Sequence, residues 1–140
     1  MADIVRCPQC HAKNRLGSGG ATEVPRCGRC GAALPWLVNA SDASFDREAT
    51  APVPALVDLW APWCGPCRVV GPVLEELSRD RAGRLKVIKV NVDQNPRLAA
   101  RFEARSIPTL VLLQDGTVRE RVVGAQPKAQ LRRLVDAYLS

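Results

Sequence analysis

The sequence contains no apolar run long enough to cross a bilayer, and no apolar segment follows Met1. We therefore expect neither a membrane span nor a signal peptide, and we expect the chain to stay in the cytoplasm. The cytoplasm is a reducing compartment, where clustered cysteines bind metals or take part in catalysis more often than they form structural disulfides. Internal repeats are also missing from the sequence.

Dense runs of basic residues are missing as well, although the net charge is +6. The excess of Lys and Arg is spread along the chain, which is typical of a solvated surface. Nucleic acid is therefore not an expected partner. We also expect the protein to be a monomer. A length of 140 residues and an apolar content of 46% allow one ordinary domain with a core and a small appendage.

Four of the six cysteines form two Cys-x-x-Cys pairs near the N-terminus: Cys7 with Cys10, and Cys27 with Cys30. The sixteen residues between the pairs fit the spacing of zinc sites. Four thiolates complete a tetrahedron and leave no open position, so the sequence predicts one structural zinc ion and no organic cofactor. This segment has few large apolar residues, and metal binding would have to supply its folding free energy.

Three alternatives remain open for these four cysteines. They could form two disulfides, which a reducing compartment disfavours. They could form a redox switch that releases zinc on oxidation. They could belong to a nucleic-acid-binding ribbon, because basic residues surround them: Arg6, Lys13, Arg15, Arg26 and Arg29. The neighbouring His11 is not needed as a fifth ligand, and we expect its side chain to be exposed.

The last two cysteines lie in Cys64-Gly65-Pro66-Cys67, between an apolar run at 53–60 and a helical pattern at 69–77. Two intervening residues let both sulfurs lie on the first turn of one helix, close enough to bond. Free N–H groups and the dipole at a helix N-terminus favour a thiolate. We therefore expect Cys64 to be the nucleophile and Cys67, more buried, to be the resolving thiol. Half of a zinc site is the alternative, but the upstream pairs complete a zinc site without these cysteines.

Two charged residues fall on faces that should be apolar. By alternation, Asp58 shares the inner face of its strand with Trp60, and burial should raise its pKa. It precedes Cys64 by six residues, so that it can lie beneath the cysteines. Lys89 alternates with Val87 and is a candidate partner for Asp58. The alternatives are a satisfied structural carboxylate for Asp58 and an edge-snorkelling side chain for Lys89.

The remaining pattern predicts an α/β domain with a hairpin turn at Asp115-Gly116. We expect a zinc module at 1–38, containing a Gly-rich loop within 16–25, and a larger domain at 39–140, joined by a linker at 35–40. The expected helices cover 41–49, 65–80 with Pro72 inside, 95–103 and a segment that opens at Pro127; the expected strands cover 53–60, 85–92, 109–113 and 117–123.

The stretch from Val57 to Arg68 resembles the active-site pattern of the thioredoxin family nearly residue by residue. The resemblance covers about 42–140 and includes Asp58, Lys89, Ile107-Pro108 and Gly124. Because a four-cysteine segment precedes it, the chain is similar to the zinc-containing members of the family, sometimes called thioredoxin 2.

This resemblance implies the thioredoxin fold, a central mixed sheet flanked by helices, after the small N-terminal four-cysteine zinc module. It implies that Cys64 and Cys67, assisted by Asp58, reduce protein disulfides by thiol–disulfide exchange. An NADPH-dependent thioredoxin reductase would regenerate the dithiol. It also implies a cis Ile107–Pro108 bond and an apolar platform for extended substrate, formed by Trp63, Gly65, Pro66, Ile107, Pro108, Gly124 and Ala125.

A competing class is a protein without enzymatic activity, in which the thioredoxin fold is only a scaffold. Its zinc ribbon would recruit a nucleic acid or a protein, or its zinc–thiolate site would sense oxidative stress. The intact Cys64 and Cys67 pair argues against this class.

Overall fold

The computed structural model describes residues 3–16 and 23–139, so that part of the predicted Gly-rich loop lies outside the described residues. The helices are α1 (Phe45–Ala49), α2 (Gly65–Asp80), α3 (Pro96–Arg101) and α4 (Lys128–Asp136). The strands are β1 (Asp3–Arg6), β2 (Lys13–Leu16), β3 (Trp36–Asn39), β4 (Ala55–Trp60), β5 (Lys86–Asn91), β6 (Thr109–Gln114) and β7 (Thr117–Val123).

A five-stranded mixed sheet in the order β3-β5-β4-β6-β7 forms the centre of the larger domain. The strands β3, β5 and β4 are parallel, whereas β6 and β7 run antiparallel to their neighbours. Helices α2 and α4 cover one face of the sheet, and Phe45 and Leu98 pack on the other. This arrangement confirms the predicted sheet flanked by helices. It also buries β4 on both faces, as its apolar run predicts.

The element bounds follow the predictions closely where the sequence pattern is strong. Helix α2 has the predicted bounds and contains Pro72. The hairpin between β6 and β7 turns at Asp115 and Gly116, whose φ angles are 52° and 77°. Positive φ at both positions is what a two-residue turn of the right twist requires. The other elements differ from their predicted ranges by a few residues at their ends.

Residues 36–39 correct the prediction, because they form an edge strand and not a linker. Trp36 lies opposite Lys86 in a parallel pairing of β3 with β5, and Trp36 is buried. The pattern was missed because a four-residue strand after Pro35 is too short for its periodicity to be recognised. A domain boundary between residues 38 and 39 would cut this strand.

A buried ion pair that no sequence pattern predicts lies beneath this edge strand. The Nζ atom of Lys86 lies 3.0 Å from Glu48 Oε1, and both side chains are buried. The same Nζ donates a hydrogen bond to the Glu48 carbonyl oxygen at 2.6 Å and lies 4.3 Å from the centroid of the Trp36 ring. Burial lowers the pKa of Lys86, and the contact with Glu48 opposes this effect.

We expect the Glu48→Leu variant to lose about 3 to 5 kcal/mol of unfolding free energy, because it leaves a buried cation without its partner. The double variant Glu48→Leu/Lys86→Met removes both charges and should recover much of this loss. Urea denaturation of both variants measures the difference. A double variant no more stable than Glu48→Leu would show that packing, and not charge, dominates here.

The N-terminal segment forms a small unit around the two cysteine pairs. Strands β1 and β2 form an antiparallel hairpin that encloses the first pair, and an isolated bridge between Arg26 and Ala33 encloses the second. Across the part of the chain that the structure describes, no helix combines the length and apolarity needed to cross a membrane.

Candidate active site and metal site

Cys64 and Cys67 are joined by a disulfide at the N-terminus of α2, at the predicted position. Cys64 is the N-cap of the helix, and its sulfur accepts a hydrogen bond from the Cys67 backbone N–H at 3.2 Å. This donor and the other N–H groups of the first turn stabilise a thiolate at Cys64 once the disulfide is reduced. The geometry therefore favours Cys64 as the nucleophile.

The two cysteines are buried to nearly the same extent, so the expected greater burial of Cys67 is not seen. Cys64 is 4% exposed and Cys67 is 5% exposed. Cys64 is covered because it packs with Ala61 and Ile107, and its sulfur lies 3.7 Å from the Ile107 carbonyl oxygen. The inequality of the two thiols therefore comes from their positions on the helix and not from their exposure.

The Ile107–Pro108 peptide bond is cis, as predicted. The Pro108 carbonyl oxygen accepts a hydrogen bond from the Gly124 N–H at 2.8 Å, which places Gly124 beside this loop. Gly124 has a φ of 91°, a conformation that strongly favours glycine. Ala125, the next residue, is exposed. The Ile107-Pro108 loop, the two cysteines and the residues that follow β7 therefore lie on the same side of the domain.

Trp63 is a large apolar side chain that is exposed on this surface, with 68% of the residue accessible. Its indole N–H donates a hydrogen bond to Asp93 Oδ2 at 2.9 Å, which fixes the ring beside Cys64. Gly65 and Pro66 are also exposed. Asp93 was not predicted; the only signal for it is a carboxylate shortly after β5, the strand next to β4.

Asp58 is 1% exposed, which confirms the expected burial. Burial raises its pKa to about 6, and the positive charge of Lys89 opposes this rise. Within the described part of the chain, Asp58 Oδ1 has no hydrogen-bond partner. A carboxyl group with this pKa can hold or release a proton near neutral pH.

Lys89 lies directly opposite Asp58 in the register of β4 and β5, and therefore on the same face of the sheet. Its Nζ lies 5.0 Å from the centroid of the Trp60 ring. Among the residues that the structure describes, no carboxylate lies within ion-pair distance of Lys89. Lys89 acts on Asp58 through its charge and not through direct contact.

The four N-terminal cysteines come together as predicted, with all four sulfur atoms within 4.8 Å of one another. Cys7 lies 3.6 Å from Cys30, and Cys10 lies 3.6 Å from Cys27, measured between sulfurs. A tetrahedral zinc site with Zn–S bonds of about 2.3 Å has sulfur–sulfur edges of about 3.8 Å. The donor set and its spacing therefore fit zinc, and none of the four cysteines is in a disulfide.

The two knuckles that hold these sulfurs, residues 7–12 and 27–32, repeat the same backbone hydrogen bonds. The first cysteine of each donates its N–H to the alanine five residues later, at 2.9 and 2.8 Å. The sulfur of each first cysteine accepts an N–H at 3.4 Å, from Gln9 in one knuckle and from Arg29 in the other. Such donors compensate thiolate charge at a metal.

His11 and Gly31 occupy equivalent places in the two knuckles, with φ angles of 64° and 79°. His11 is exposed, as expected, and contributes its backbone conformation to the turn. The turn requires a left-handed residue after the second cysteine of each pair, which glycine provides most readily.

Asn14 also contacts the cluster, a role that was not predicted because a single asparagine carries no recognisable pattern. Its Nδ2 donates to Cys27 Sγ at 3.4 Å, while its Oδ1 accepts the Gly28 N–H at 2.9 Å. Hydrogen bonds from the Cys30 backbone and then from Asn14 lower the pKa of Cys27 to about 6. Cys27 is therefore readily available as a thiolate ligand.

Comparison with known proteins supports the fold that was predicted for the larger domain. A family model described as Thioredoxin matches residues 36–137. Thioredoxins from Staphylococcus aureus strains Mu50, MW2 and COL are each 47% identical to this chain over 103 residues. These matches cover 74% of this chain and 98% of each relative. The family model does not extend to residues 1–35, where the four-cysteine cluster lies.

Proposed function

We propose that this chain, which belongs to the thioredoxin family, reduces disulfides in other proteins through Cys64 and Cys67. It is a thiol–disulfide oxidoreductase. The observation that carries the more specific proposal is the bonded cysteine pair at the N-terminus of α2, beside the cis bond of Pro108.

The proposed reaction has two exchanges. The Cys64 thiolate attacks one sulfur of the substrate disulfide, so that a mixed disulfide forms and the other substrate sulfur leaves as a thiolate. Cys67 then loses its proton, and its sulfur attacks the Cys64 sulfur. The second substrate sulfur leaves, the substrate is fully reduced, and the Cys64–Cys67 disulfide closes. We assign Asp58 as the base that accepts the Cys67 proton, with Lys89 adjusting its affinity for that proton.

We propose that the substrate lies extended across the surface beside Cys64. This surface combines one large exposed ring with small residues that let a peptide backbone approach closely. Asp93 would hold the Trp63 ring in place. The residues that we assign to substrate binding are Trp63, Gly65, Pro66, Ile107, Pro108, Gly124 and Ala125.

The two electrons consumed in each cycle would come from an NADPH-dependent thioredoxin reductase. We propose that the chain acts as a cytoplasmic monomer and that it is of the zinc-containing thioredoxin 2 type. Cys7, Cys10, Cys27 and Cys30 would hold one structural zinc ion, which would organise the knuckles and take no part in the exchange. The zinc module would end before Trp36, because β3 belongs to the sheet.

Reduction of insulin by dithiothreitol tests this proposal directly. We expect the full chain to accelerate the precipitation of the insulin B chain many-fold over dithiothreitol alone. A folded chain whose Cys64–Cys67 disulfide can be reduced, but which gives no acceleration, would favour the scaffold class over the reductase.

The Asp58→Asn variant should slow turnover, mostly below the pH at which thiols ionise freely, because the base for Cys67 is lost. The unfolding free energy of this variant should instead be higher than that of the parent chain. The raised pKa of Asp58 means that the parent chain loses unfolding free energy as the pH rises from about 4 to about 6, whereas the variant does not. A displacement from 3.8 to about 6 corresponds to about 3 kcal/mol.

Stopped-flow kinetics and urea denaturation across this pH range measure both effects. Unchanged rate constants at every pH would show that Asp58 is structural. A stability difference that does not grow between about pH 4 and pH 6 would contradict the raised pKa.

A further inference from the structure

Lys89 lies where three cavities meet. The first, of about 270 Å³, lies behind Cys67 and is also lined by Trp60, Gly71 and Glu75. The second, of about 510 Å³, lies between β1 and α2. The third, of about 670 Å³, is lined mainly by amides and hydroxyls. The ammonium can therefore be attracted in more than one direction by neighbouring charge.

Glu75 lines the first two of these cavities together with Lys89. It is the one carboxylate among the residues that line them. The Lys89 Nζ lies 3.9 Å from the point where a Cβ on Gly71 would be. Gly71 and Glu75 are one helical turn apart, where Cβ positions are about 5 to 6 Å from each other. The Glu75 Cβ therefore lies on the same face of α2 as Gly71, and the exposed Glu75 side chain can extend toward the ammonium without forming an ion pair with it in this structure.

We propose that Glu75 is a positioning residue that draws the Lys89 ammonium toward the cavity mouth and away from Asp58, and so keeps Asp58 able to take up a proton near neutral pH. The proposal rests on the function proposed above, in which Asp58 accepts the proton of Cys67. Lys89 then lies between two carboxylates, Asp58 across the strands and Glu75 on the helix, neither of which is within ion-pair distance of it.

The other charges around Lys89 do not provide a competing carboxylate. In the cavity behind Cys67, the remaining charged group is Arg68, whose Nη2 donates to the Pro62 carbonyl oxygen at 2.9 Å. In the cavity toward β1, the remaining charged groups are Arg6 and Arg79, which repel the ammonium. The lining of the third cavity contains no other charged side chain.

The positions of Glu75 and Lys89 determine the direction in which Glu75 changes the pKa of Asp58. The negative charge of Glu75 disfavours ionisation of Asp58 directly, and by holding Lys89 it weakens the cation that favours ionisation. Both effects raise the pKa of Asp58. Removal of the charge at Glu75 should therefore lower that pKa and extend the activity of the enzyme to lower pH.

The test is the Glu75→Gln variant of the full, metal-loaded chain, with the Asp58 carboxyl carbon titrated by ¹³C NMR. We expect the midpoint to fall by about half a pH unit, with the acid limb of the rate–pH profile moving by the same amount. Glu76→Gln is the matched control. It removes the same charge one residue further along, where Glu76 contacts Lys128 at 2.6 Å, and it should leave the midpoint unchanged.

Two further variants test whether Glu75 changes the pKa of Asp58 through Lys89. Glu75→Asp should keep most of the parent midpoint, and in a Lys89→Met background the shift caused by Glu75→Gln should fall by more than half. An unchanged midpoint in Glu75→Gln, an equal shift in Glu76→Gln, or a full shift without Lys89 would each overturn the proposal. Because the NMR titration requires no turnover, these outcomes are independent of whether the chain reduces protein disulfides.

Discussion

The Cys64→Ser variant loses disulfide reduction entirely, down to the rate of dithiothreitol alone, whereas Cys67→Ser accumulates a long-lived mixed disulfide with its substrate. This is the result that we expect from the positions of the two sulfurs. The Cys64 sulfur is at the helix N-terminus and accepts the Cys67 N–H, so it forms the first bond to substrate. A chain without Cys67 completes that step but has no thiol to release the substrate.

Non-reducing gels and mass spectrometry of the trapped adducts measure this difference. Serine is close in size to cysteine, so both variants should fold, and circular dichroism provides the control for folding. Equal amounts of trapped adduct in the two variants would contradict the assignment of nucleophile and resolving thiol.

One zinc ion per chain is the second expected result, bound by Cys7, Cys10, Cys27 and Cys30. Structural zinc contributes about 10 to 16 kcal/mol in small zinc-binding units, and the buried apolar cluster here is small. Chelation should therefore unfold the N-terminal segment and leave the five-stranded sheet intact. Metal analysis and two-dimensional NMR of the chelated protein measure both parts.

Matched variants distinguish the role of the four N-terminal cysteines from the role of Cys64 and Cys67. Cys10→Ser should lose zinc and keep reductase activity within about threefold, whereas Cys64→Ser should keep zinc and lose activity. A shortened chain that begins at Pro35 should also stay active. A chain that begins at Ser41 would lack β3 and should be less stable. Protein purified without chelators and found free of zinc would contradict the structural role.

The sequence predicted the elements with strong, uninterrupted patterns. Helix α2 has both an apolar stripe and a proline in its first turn, and its bounds were correct. The turn at Asp115-Gly116 has a dipeptide that fits only a few backbone conformations. The active-site cysteines were found because their motif is local in sequence, whereas the cis bond at Pro108 and the substrate surface were expected only from the resemblance to the thioredoxin family. Local patterns therefore account for the cysteines and for the buried Asp58, and the resemblance accounts for the rest of the predicted site.

The parts that the sequence did not predict depend on contacts between distant residues. Glu48 and Lys86 are far apart in the chain, and each would be read as a surface charge by itself. Asp93 and Asn14 are single polar residues whose roles appear only when Trp63 and Cys27 are brought beside them. Such pairs are set by tertiary packing, which a single sequence does not encode in any local periodicity.

The two knuckles repeat the same hydrogen bonds, so the four N-terminal sulfurs are nearly equivalent in pairs, but they differ in their accessibility to solvent. Cys7 and Cys27 are buried, Cys10 is intermediate and Cys30 is exposed. Cys27 alone has the additional donor from Asn14. With zinc bound, a small alkylating reagent should therefore reach the exposed Cys30 before the buried Cys7 and Cys27, and loss of that ligand should open the cluster from the solvent side.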